Sequence, residues 1–149
     1  MARTKAEIYL HFVWTTVERQ PFVTRKIRRA LYRCIEKEAR DLGCVVLATG
    51  GIEDHVHSFL QMPTKRSPAT VMQQLKGVSS TFARNNLMGG EPFGWQEGYA
   101  VFSVSRSHVA KVIAYINNQE KHHAEGPLWP VLEETAEDEP KAAEEPTSE

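Results

Sequence analysis

The sequence is poor in cysteine and has no long apolar run, and each absence narrows the class of protein. Only 2 of the 149 residues are cysteines, too few for a disulfide-stabilised scaffold or a four-cysteine zinc site. No stretch approaches the roughly 18 consecutive apolar residues of a membrane-spanning helix, and the first residues lack the layout of a signal peptide. We therefore expect a reduced, cytoplasmic chain with no membrane contact. The hydrophobic content of 41% suffices for one ordinary core.

Charge is distributed unevenly, although the formal net charge is only -1. Residues 126–149 contain eight acids and one base, whereas residues 1–125 contain 11 acids and 17 bases. The sequence therefore predicts one folded domain over residues 1–125 with a net charge of +6, and a disordered acidic tail over residues 126–149 with -7. A basic body suggests an anionic partner, but a moderately basic enzyme with a solvated tail fits the same charges.

Apolar periodicity predicts the element order β-α-β-β-α-β-α. Strands are expected near residues 8–14, 44–50, 55–62 and 99–104, and helices near residues 25–42, 68–86 and 109–123. This order is the split β-α-β, ferredoxin-like pattern with one added C-terminal helix. We therefore expect an α+β fold in which helices cover one face of an antiparallel sheet, with the C-terminal helix in addition to them.

A pair of histidines stands in the third predicted strand. Alternate side chains of a strand share a face, so His55 and His57 point the same way while Val56 points to the core. Two imidazoles about 7 Å apart along a strand can converge on one divalent metal ion. The alternative is a chance pair with one histidine merely hydrogen-bonded, because so short a motif has low specificity.

Tyr115 and Gln119 are four residues apart in the last predicted helix, so they lie one above the other on one face. Both fall on the flank of the helix's apolar stripe. That flank presents a hydroxyl nucleophile and an amide that can bind a metal. The alternative is an amphipathic tyrosine at the edge of the core.

Basic residues are scattered over loops and helix flanks, with aromatic residues among them. Proteins that bind single-stranded nucleic acid combine such features, although ordinary solvated surface explains them equally well. The basic residues are Arg19, Arg25, Lys26, Arg28, Arg29, Lys65, Arg66, Lys76 and Arg84, and the possible stacking groups are Phe22, Trp95 and Tyr99.

Taken together, these features resemble the single-tyrosine HUH transposases, the small transposases of bacterial and archaeal insertion sequences, to which the REP-associated tyrosine transposases are closely related. HVH alone is a weak signal, but HVH followed by the other segments in the family's order is specific. The matching segments, spread over about residues 8–123, are LHFVWTT, EDHVH, LKGVSS, WQEGYAVFSVS and AYINNQEKHH.

The resemblance implies a metal-dependent transposase that cuts and rejoins single-stranded DNA. Tyr115, on the C-terminal helix, would be the catalytic nucleophile and would form a covalent 5′-phosphotyrosine intermediate. His55, His57 and Gln119 would bind Mg²⁺ or Mn²⁺, which would polarise and orient the scissile phosphate. Asp54 would support the metal or the histidines from outside the ligand set.

The same resemblance implies the partners. The substrate would be single-stranded DNA with hairpins near the ends of the element. The protein would be a homodimer with composite sites, in which the tyrosine helix of one chain lies beside the histidines of the other. Glu97 would have the same supporting role as Asp54, and His11 is interpreted as structural. The candidate phosphate contacts are Arg28, Arg29, Lys65, Arg66, Lys76 and Arg84.

Two alternative functions stay open. A domesticated relative that cuts repeated palindromic DNA for its host would carry identical motifs. A non-catalytic nucleic-acid-binding module could use the same scaffold, because a fold does not determine a function. The presence of Tyr115, Gln119 and both histidines favours an enzyme. The acidic tail lies outside the matching segments, and we assign it no catalytic role.

Overall fold

An antiparallel sheet with helices on both faces forms the framework of the protein. The structure, a computed structural model, describes residues 3–124 and 133–135. The strands are β1 (Tyr9–Thr15), β2 (Val45–Ile52), β3 (His55–Gln61) and β4 (Ala100–Val104). The helices are α1 (Arg25–Asp41), α2 (Pro68–Phe82), α3 (Val109–Asn117) and α4 (Gln119–Ala124). The predicted α+β class and the order of the first seven elements are confirmed.

The strands lie in the order β2-β3-β1-β4. In β3, His57 pairs with Val13 of β1 on one side and with Gly50 of β2 on the other. The strand alternation is as predicted, because Val56 is fully buried in the core beneath α1 and α2 while both histidines face the opposite side. The histidines therefore project from the interior of the sheet rather than from an edge.

Each face of the sheet carries its own core. The apolar stripe of α1 and the buried side of α2 pack against Phe12 and Trp14 of β1. On the opposite face, Val112 and Ile116 of α3 pack against Phe59. Because apolar side chains alternate along the strands, one sheet can hold two layers of helices. The histidine face is the one covered by α3.

The last predicted helix, 109–123, is broken at Asn118, which corrects the expectation of one continuous helix. Asn118 has φ -111° and ψ 25°, outside the helical region. Its side-chain Nδ2 donates to the carbonyl oxygen of Ala114 at 2.7 Å, so the side chain takes a hydrogen-bonding position at the end of α3. Tyr115 and Gln119 therefore stand on two successive helices.

The backbones of α3 and β2 approach each other closely at Gly50. A Cβ atom on this residue would lie 2.4 Å from the carbonyl oxygen of Ile116, which real Cβ contacts do not reach. Only glycine allows α3 to pack so near the strand. This contact sets the height of Tyr115, the preceding residue, above the sheet.

No helix in the described ranges is long and apolar enough to cross a bilayer. Apart from residues 133–135, the predicted acidic tail lies outside the described residues, so its disorder stays a prediction.

Candidate active site

His55 and His57 lie side by side beneath α3. Their ring centroids are 5.0 Å apart, and their exposed fractions are 3% and 0%. The structure therefore confirms that His55 and His57 point to the same face of the sheet, as the strand period predicts.

Asp54 contacts His55 directly, at the start of β3. The Nδ1 atom of His55 lies 2.8 Å from Asp54 Oδ1, which leaves Nε2 facing Gln119 Oε1 at 3.3 Å. Burial alone lowers the pKa of His55, but the carboxylates of Asp54 and Glu133 outweigh it and raise the pKa to about 9. The hydrogen bond to His55 in turn lowers the pKa of Asp54, against the effect of its own burial. Glu97, the other expected supporting acid, is exposed on the segment before β4.

His11 of β1 lies next to His57. Its Nε2 is 2.8 Å from His57 Nδ1, and the two rings stack with their centroids 5.0 Å apart. Burial, reinforced by the nearby His57, lowers the pKa of His11 to about 3. A neutral His11 can therefore share one proton with His57, so the residue interpreted as structural belongs to the immediate surroundings of the site.

Tyr115 and Gln119 reach the histidines despite the helix break. Tyr115 is 2% exposed, and its ring centroid lies 6.4 Å from that of His57. Gln119, the first residue of α4, is equally buried. All four predicted site residues come together within one chain. An exchange of helices between two chains is therefore not needed to assemble them, and the predicted homodimer with composite sites stays a prediction.

Glu133 occupies the centre of this group, which the sequence analysis did not predict. One carboxylate oxygen, Oε1, accepts hydrogen bonds from Tyr115 Oη at 2.5 Å and from Gln119 Nε2 at 3.1 Å. The other, Oε2, lies 3.3 Å from Nε2 of His55 and from Nε2 of His57. Although burial favours its protonated form, the two histidines hold the pKa of Glu133 well below its usual value.

His123 is a second residue that sequence reasoning missed. Its Nε2 is 3.1 Å from Gln119 Oε1, and its ring centroid is 5.0 Å from that of His55. The sequence does indicate His123, because Gln119 and His123 are four residues apart and share a helix face. For Glu133 no local signal existed, since it is one of eight acids in a stretch with no periodic pattern.

The donor set fits a divalent cation. One ligand atom from each of His55, His57 and Glu133 can be chosen so that all lie within 4.8 Å of one another. His57 Nε2 is buried and makes no directed hydrogen bond to any described residue, although Glu133 Oε2 is near. Imidazole nitrogens together with amide and carboxylate oxygens match a borderline-hard ion.

Most of the candidate phosphate contacts are exposed, whereas the catalytic candidates are buried. Arg29 and Lys65 are exposed, as are Arg66 and Arg84, which reach backbone carbonyls of Leu42 and Phe93. Lys76 is half-buried, and its Nζ lies 2.7 Å from the carbonyl oxygen of Gln96 and 2.8 Å from that of Gly98, so it fastens the segment before β4.

Arg28 is 7% exposed, and its guanidinium pairs with Glu120 and Glu53 and donates to the carbonyl of Val23. This interior role corrects the inclusion of Arg28 among the basic residues of loops and helix flanks, and we do not retain it among the proposed phosphate contacts. The sequence carries a signal, because Arg28 precedes the buried Leu31 and Ile35 by three and seven residues.

A groove of about 560 Å³ opens beside the site, between α1, the edge of β2 and the break that separates α3 from α4. Gln119 belongs to both the groove and the site, so the two are continuous. The polar lining residues are Arg25, Arg28, Tyr32, Thr49, Asn117, Asn118, Gln119, Glu120 and Lys121. Because Arg28 is already paired with Glu53 and Glu120, Arg25 and Lys121 are the lining cations that favour an anionic occupant.

A family model and two curated relatives of this chain agree on one family. A family model described as "Transposase IS200 like" matches residues 4–119. The transposases for insertion sequence element IS200 of Salmonella typhimurium and Salmonella typhi are each 31% identical to this chain in an alignment 131 residues long, and the match covers 80% of this chain and 81% of those proteins.

Two solved structures have a similar fold. A putative transposase from Deinococcus radiodurans superposes with a TM-score of 0.63 at 22% identity, covering 80% of this chain and 98% of that one. A REP-associated tyrosine transposase bound to a REP hairpin has a TM-score of 0.61 at 15% identity, covering 83% and 73% of the two chains. At these identities the likeness establishes the architecture.

Proposed function

The chain belongs to the IS200-like transposase family, and from this premise we propose that it cleaves and rejoins single-stranded DNA at insertion-sequence ends through a covalent 5′-phosphotyrosine intermediate. The observation that carries the proposal is the convergence of Tyr115 with His55, His57 and Gln119 in one buried site. A hydroxyl nucleophile beside a set of nitrogen and oxygen ligands is what phosphoryl transfer requires.

Tyr115 supplies the nucleophile in this scheme. Its oxygen attacks the scissile phosphorus, the bond from phosphorus to the 3′ oxygen breaks, and the tyrosine proton balances the free 3′-OH that leaves. The 5′ end then remains bound to Tyr115, so the energy of the phosphodiester is kept. Attack by a different 3′-OH reverses the reaction and joins the new strand. Because the bond energy is stored, strand joining needs no ATP.

The two histidines and the Gln119 amide are the residues that would hold a divalent cation, Mg²⁺ or Mn²⁺. When bound, such an ion polarises the phosphoryl oxygens and stabilises the charge that develops in the transition state. Asp54 fixes the orientation of His55 through its 2.8 Å contact. Tyr115 is 2% exposed because it packs within the apolar cluster between α3 and the sheet, and this burial keeps water from the nucleophile.

The groove beside Gln119 provides a path for the strand. Its net positive lining and its direct continuation into the site favour a phosphate backbone that runs past α1 towards the tyrosine. The exposed Arg29, Lys65, Arg66 and Arg84 are proposed as further phosphate contacts outside the groove. Hairpin recognition, a homodimer and a cytoplasmic location belong to the same proposal.

A covalent adduct tests the proposal. Purified protein is incubated with end-labelled single-stranded hairpin DNA from the flanks of its own gene and with Mg²⁺ or Mn²⁺. We expect a labelled protein–DNA adduct on a denaturing gel, and no adduct with EDTA or in Tyr115→Phe. Tyr9→Phe is the matched control, because Tyr9 lies on the same sheet face and packs against Phe59.

An adduct that survives Tyr115→Phe would overturn the assignment of the nucleophile. Tight binding without cleavage by the wild-type protein would favour a non-catalytic binding module. Cleavage of dispersed palindromic repeats, with no cleavage of element ends, would identify the domesticated relative instead.

A further inference from the structure

Glu133 divides its two carboxylate oxygens between two groups of the candidate site. Oε2 faces the histidines, 3.3 Å from Nε2 of His55 and 3.3 Å from Nε2 of His57. Oε1 faces Tyr115 and accepts a hydrogen bond from its hydroxyl at 2.5 Å. One side chain therefore contacts both proposed histidine ligands and the proposed nucleophile.

We propose that Glu133 is a catalytic residue of the strand-cleavage reaction, with Oε2 as a further ligand of the divalent cation and Oε1 as the acceptor that orients Tyr115. The inference rests on the proposed function and adds to it a residue from the acidic C-terminal stretch. It also gives one acid of that stretch a role that its charge alone does not indicate.

The spacing of the ligand atoms supports the first role. Ligands about 2.1 Å from one ion, separated by octahedral or tetrahedral angles, stand roughly 3.0–3.4 Å apart. The two distances from Glu133 Oε2 to the histidine nitrogens fall in that range. The other proposed ligands are all neutral, and Mg²⁺ and Mn²⁺ favour carboxylate oxygens, so Glu133 would strengthen binding of the ion before a DNA phosphate is present.

The contact with Tyr115 supports the second role. The tyrosine hydroxyl donates to Oε1, so the position of the nucleophilic oxygen is fixed relative to the same carboxylate that faces the histidines. Gln119 Nε2 also donates to Oε1 and holds the carboxylate in place. A nucleophile that is oriented before the substrate binds loses less entropy on the way to the transition state.

The opposite role is also chemically reasonable, because a carboxylate between cationic ligands could stand where a DNA phosphate binds and so block the site. The two roles predict opposite effects of removing the charge. A ligand is needed for activity, whereas a blocking group suppresses it. The spacing of Oε2 from the two histidine nitrogens, which matches that of ligands around one ion, favours the ligand.

The test compares Glu133→Gln, which removes the charge, with Glu134→Gln, which makes the same change one residue further along. Mn²⁺ affinity is measured without DNA from the electron paramagnetic resonance signal of the free ion. We expect Glu133→Gln to weaken Mn²⁺ binding by at least about tenfold and to slow adduct formation at saturating Mn²⁺, and Glu134→Gln to change neither. Glu133→Asp, which keeps the charge on a shorter side chain, should fall between wild type and Glu133→Gln and carries the test if Glu133→Gln does not fold.

Unchanged Mn²⁺ affinity in Glu133→Gln, or faster adduct formation than in the wild type, would overturn the inference, and the second result would identify a blocking group. The two proposals fail separately. A wild-type protein that forms no adduct contradicts the proposed function, whereas the Mn²⁺ titration still decides whether Glu133 is a ligand.

Discussion

His11 Nε2 and His57 Nδ1 are 2.8 Å apart between two neighbouring strands of the sheet interior, and both side chains are completely buried. The pair has one shared hydrogen bond, so its single bridging proton belongs to one ring at a time. If His57 binds a metal through Nε2, its Nδ1 carries the proton and His11 must be the acceptor. A residue on the first strand thereby determines which tautomer of His57 is available.

Replacing His11 tests this relationship. His11→Leu removes the acceptor, and we expect Mn²⁺ affinity to fall by about tenfold or more. His11→Gln places an amide oxygen near the same position and should recover part of the loss. Equal affinities for His11→Leu and wild type, measured by the same resonance titration, would show that His57 orients itself without His11.

The buried histidines predict acid sensitivity of the metal-free protein. Burial lowers the pKa of His11 from 6.5 to about 3, and it also lowers the pKa of His57 and of His123. The unfolded chain therefore binds more protons between pH 6.5 and 3, and the free energy of unfolding falls as the pH falls through this window. His55 affects stability in a different pH range. Its raised pKa adds to the free energy of unfolding, and this contribution is complete below pH 6.5 and is lost as the pH rises towards 9.

Urea unfolding in EDTA at several pH values measures this effect. His11 alone contributes a slope of at most about 1.4 kcal/mol per pH unit, so His11→Gln should flatten the profile below about pH 6. The exposed His108 provides the control, and His108→Gln should leave the slope as it is. A wild-type stability that is constant from neutral pH down to about pH 5 would contradict the prediction.

Gly50 and Gly77 form a matched pair of sites for alanine substitution. At Gly50 a Cβ would collide with the Ile116 carbonyl, whereas at Gly77, inside α2, it would meet nothing within 4 Å. We expect Gly50→Ala to destabilise the protein by about 1–3 kcal/mol because α3 must move away. Gly77→Ala should stabilise it by roughly 0.5–1 kcal/mol through helix propensity. Chemical denaturation measures both, and a stabilised Gly50→Ala would show that α3 is free to shift.

Arg28 and Glu120 connect α1 to α4. The Arg28 side chain is 9% exposed, whereas Arg25, which also contacts Glu120, is 79% exposed. We expect Arg28→Met to cost about 1–3 kcal/mol, since Glu53, Val23 and Glu120 lose a buried donor. Arg25→Met should cost less than about 1 kcal/mol, as is usual for exposed pairs.

Hydrogen exchange provides a local measurement of the same contact. Amide protons of α4 should exchange faster in Arg28→Met than in Arg25→Met, because the helix that begins with Gln119 loses its attachment. Equal exchange rates in the two variants would show that a contact other than Arg28–Glu120 holds α4 in place.

Short-range patterns predicted much of this architecture. The period of two along β3 was enough to place His55 and His57 on one face. The second helix begins at its predicted residue, Pro68, and Ser67 Oγ accepts a hydrogen bond from the Thr70 amide there at 3.1 Å. Apolar periodicity also gave the element order. Most boundaries shifted by at most two residues, which is usual because strand and helix ends depend on neighbouring elements. The exception is the predicted helix 68–86, since α2 ends at Phe82 and a π-helical turn follows over residues 83–87.

Two features were not predicted, for different reasons. The break at Asn118 follows from a local side-chain hydrogen bond that competes with the helix, and the apolar periodicity continues across it. The role of Glu133 depends on a segment returning to a site 76 residues after His57, and no periodicity encodes such a contact. Helix spacing and the family resemblance both pointed to Tyr115 and Gln119, whose roles stay predictions, but neither supplied information about an acid outside the matching segments.

The position of β1 in the interior of the sheet has a consequence during synthesis. β1 pairs with β3 and β4, yet β4 ends 43 residues after β3. At ribosomal rates of about 5–20 residues per second, one side of β1 lacks its partner for roughly two to nine seconds. During that interval a strand with strongly apolar alternate residues, LHFVW, has an open edge, which is the feature that templates aggregation. Early packing of α1 and α2 can bury Phe12 and Trp14 during this interval, but the backbone edge of β1 stays open until β4 emerges and pairs with it.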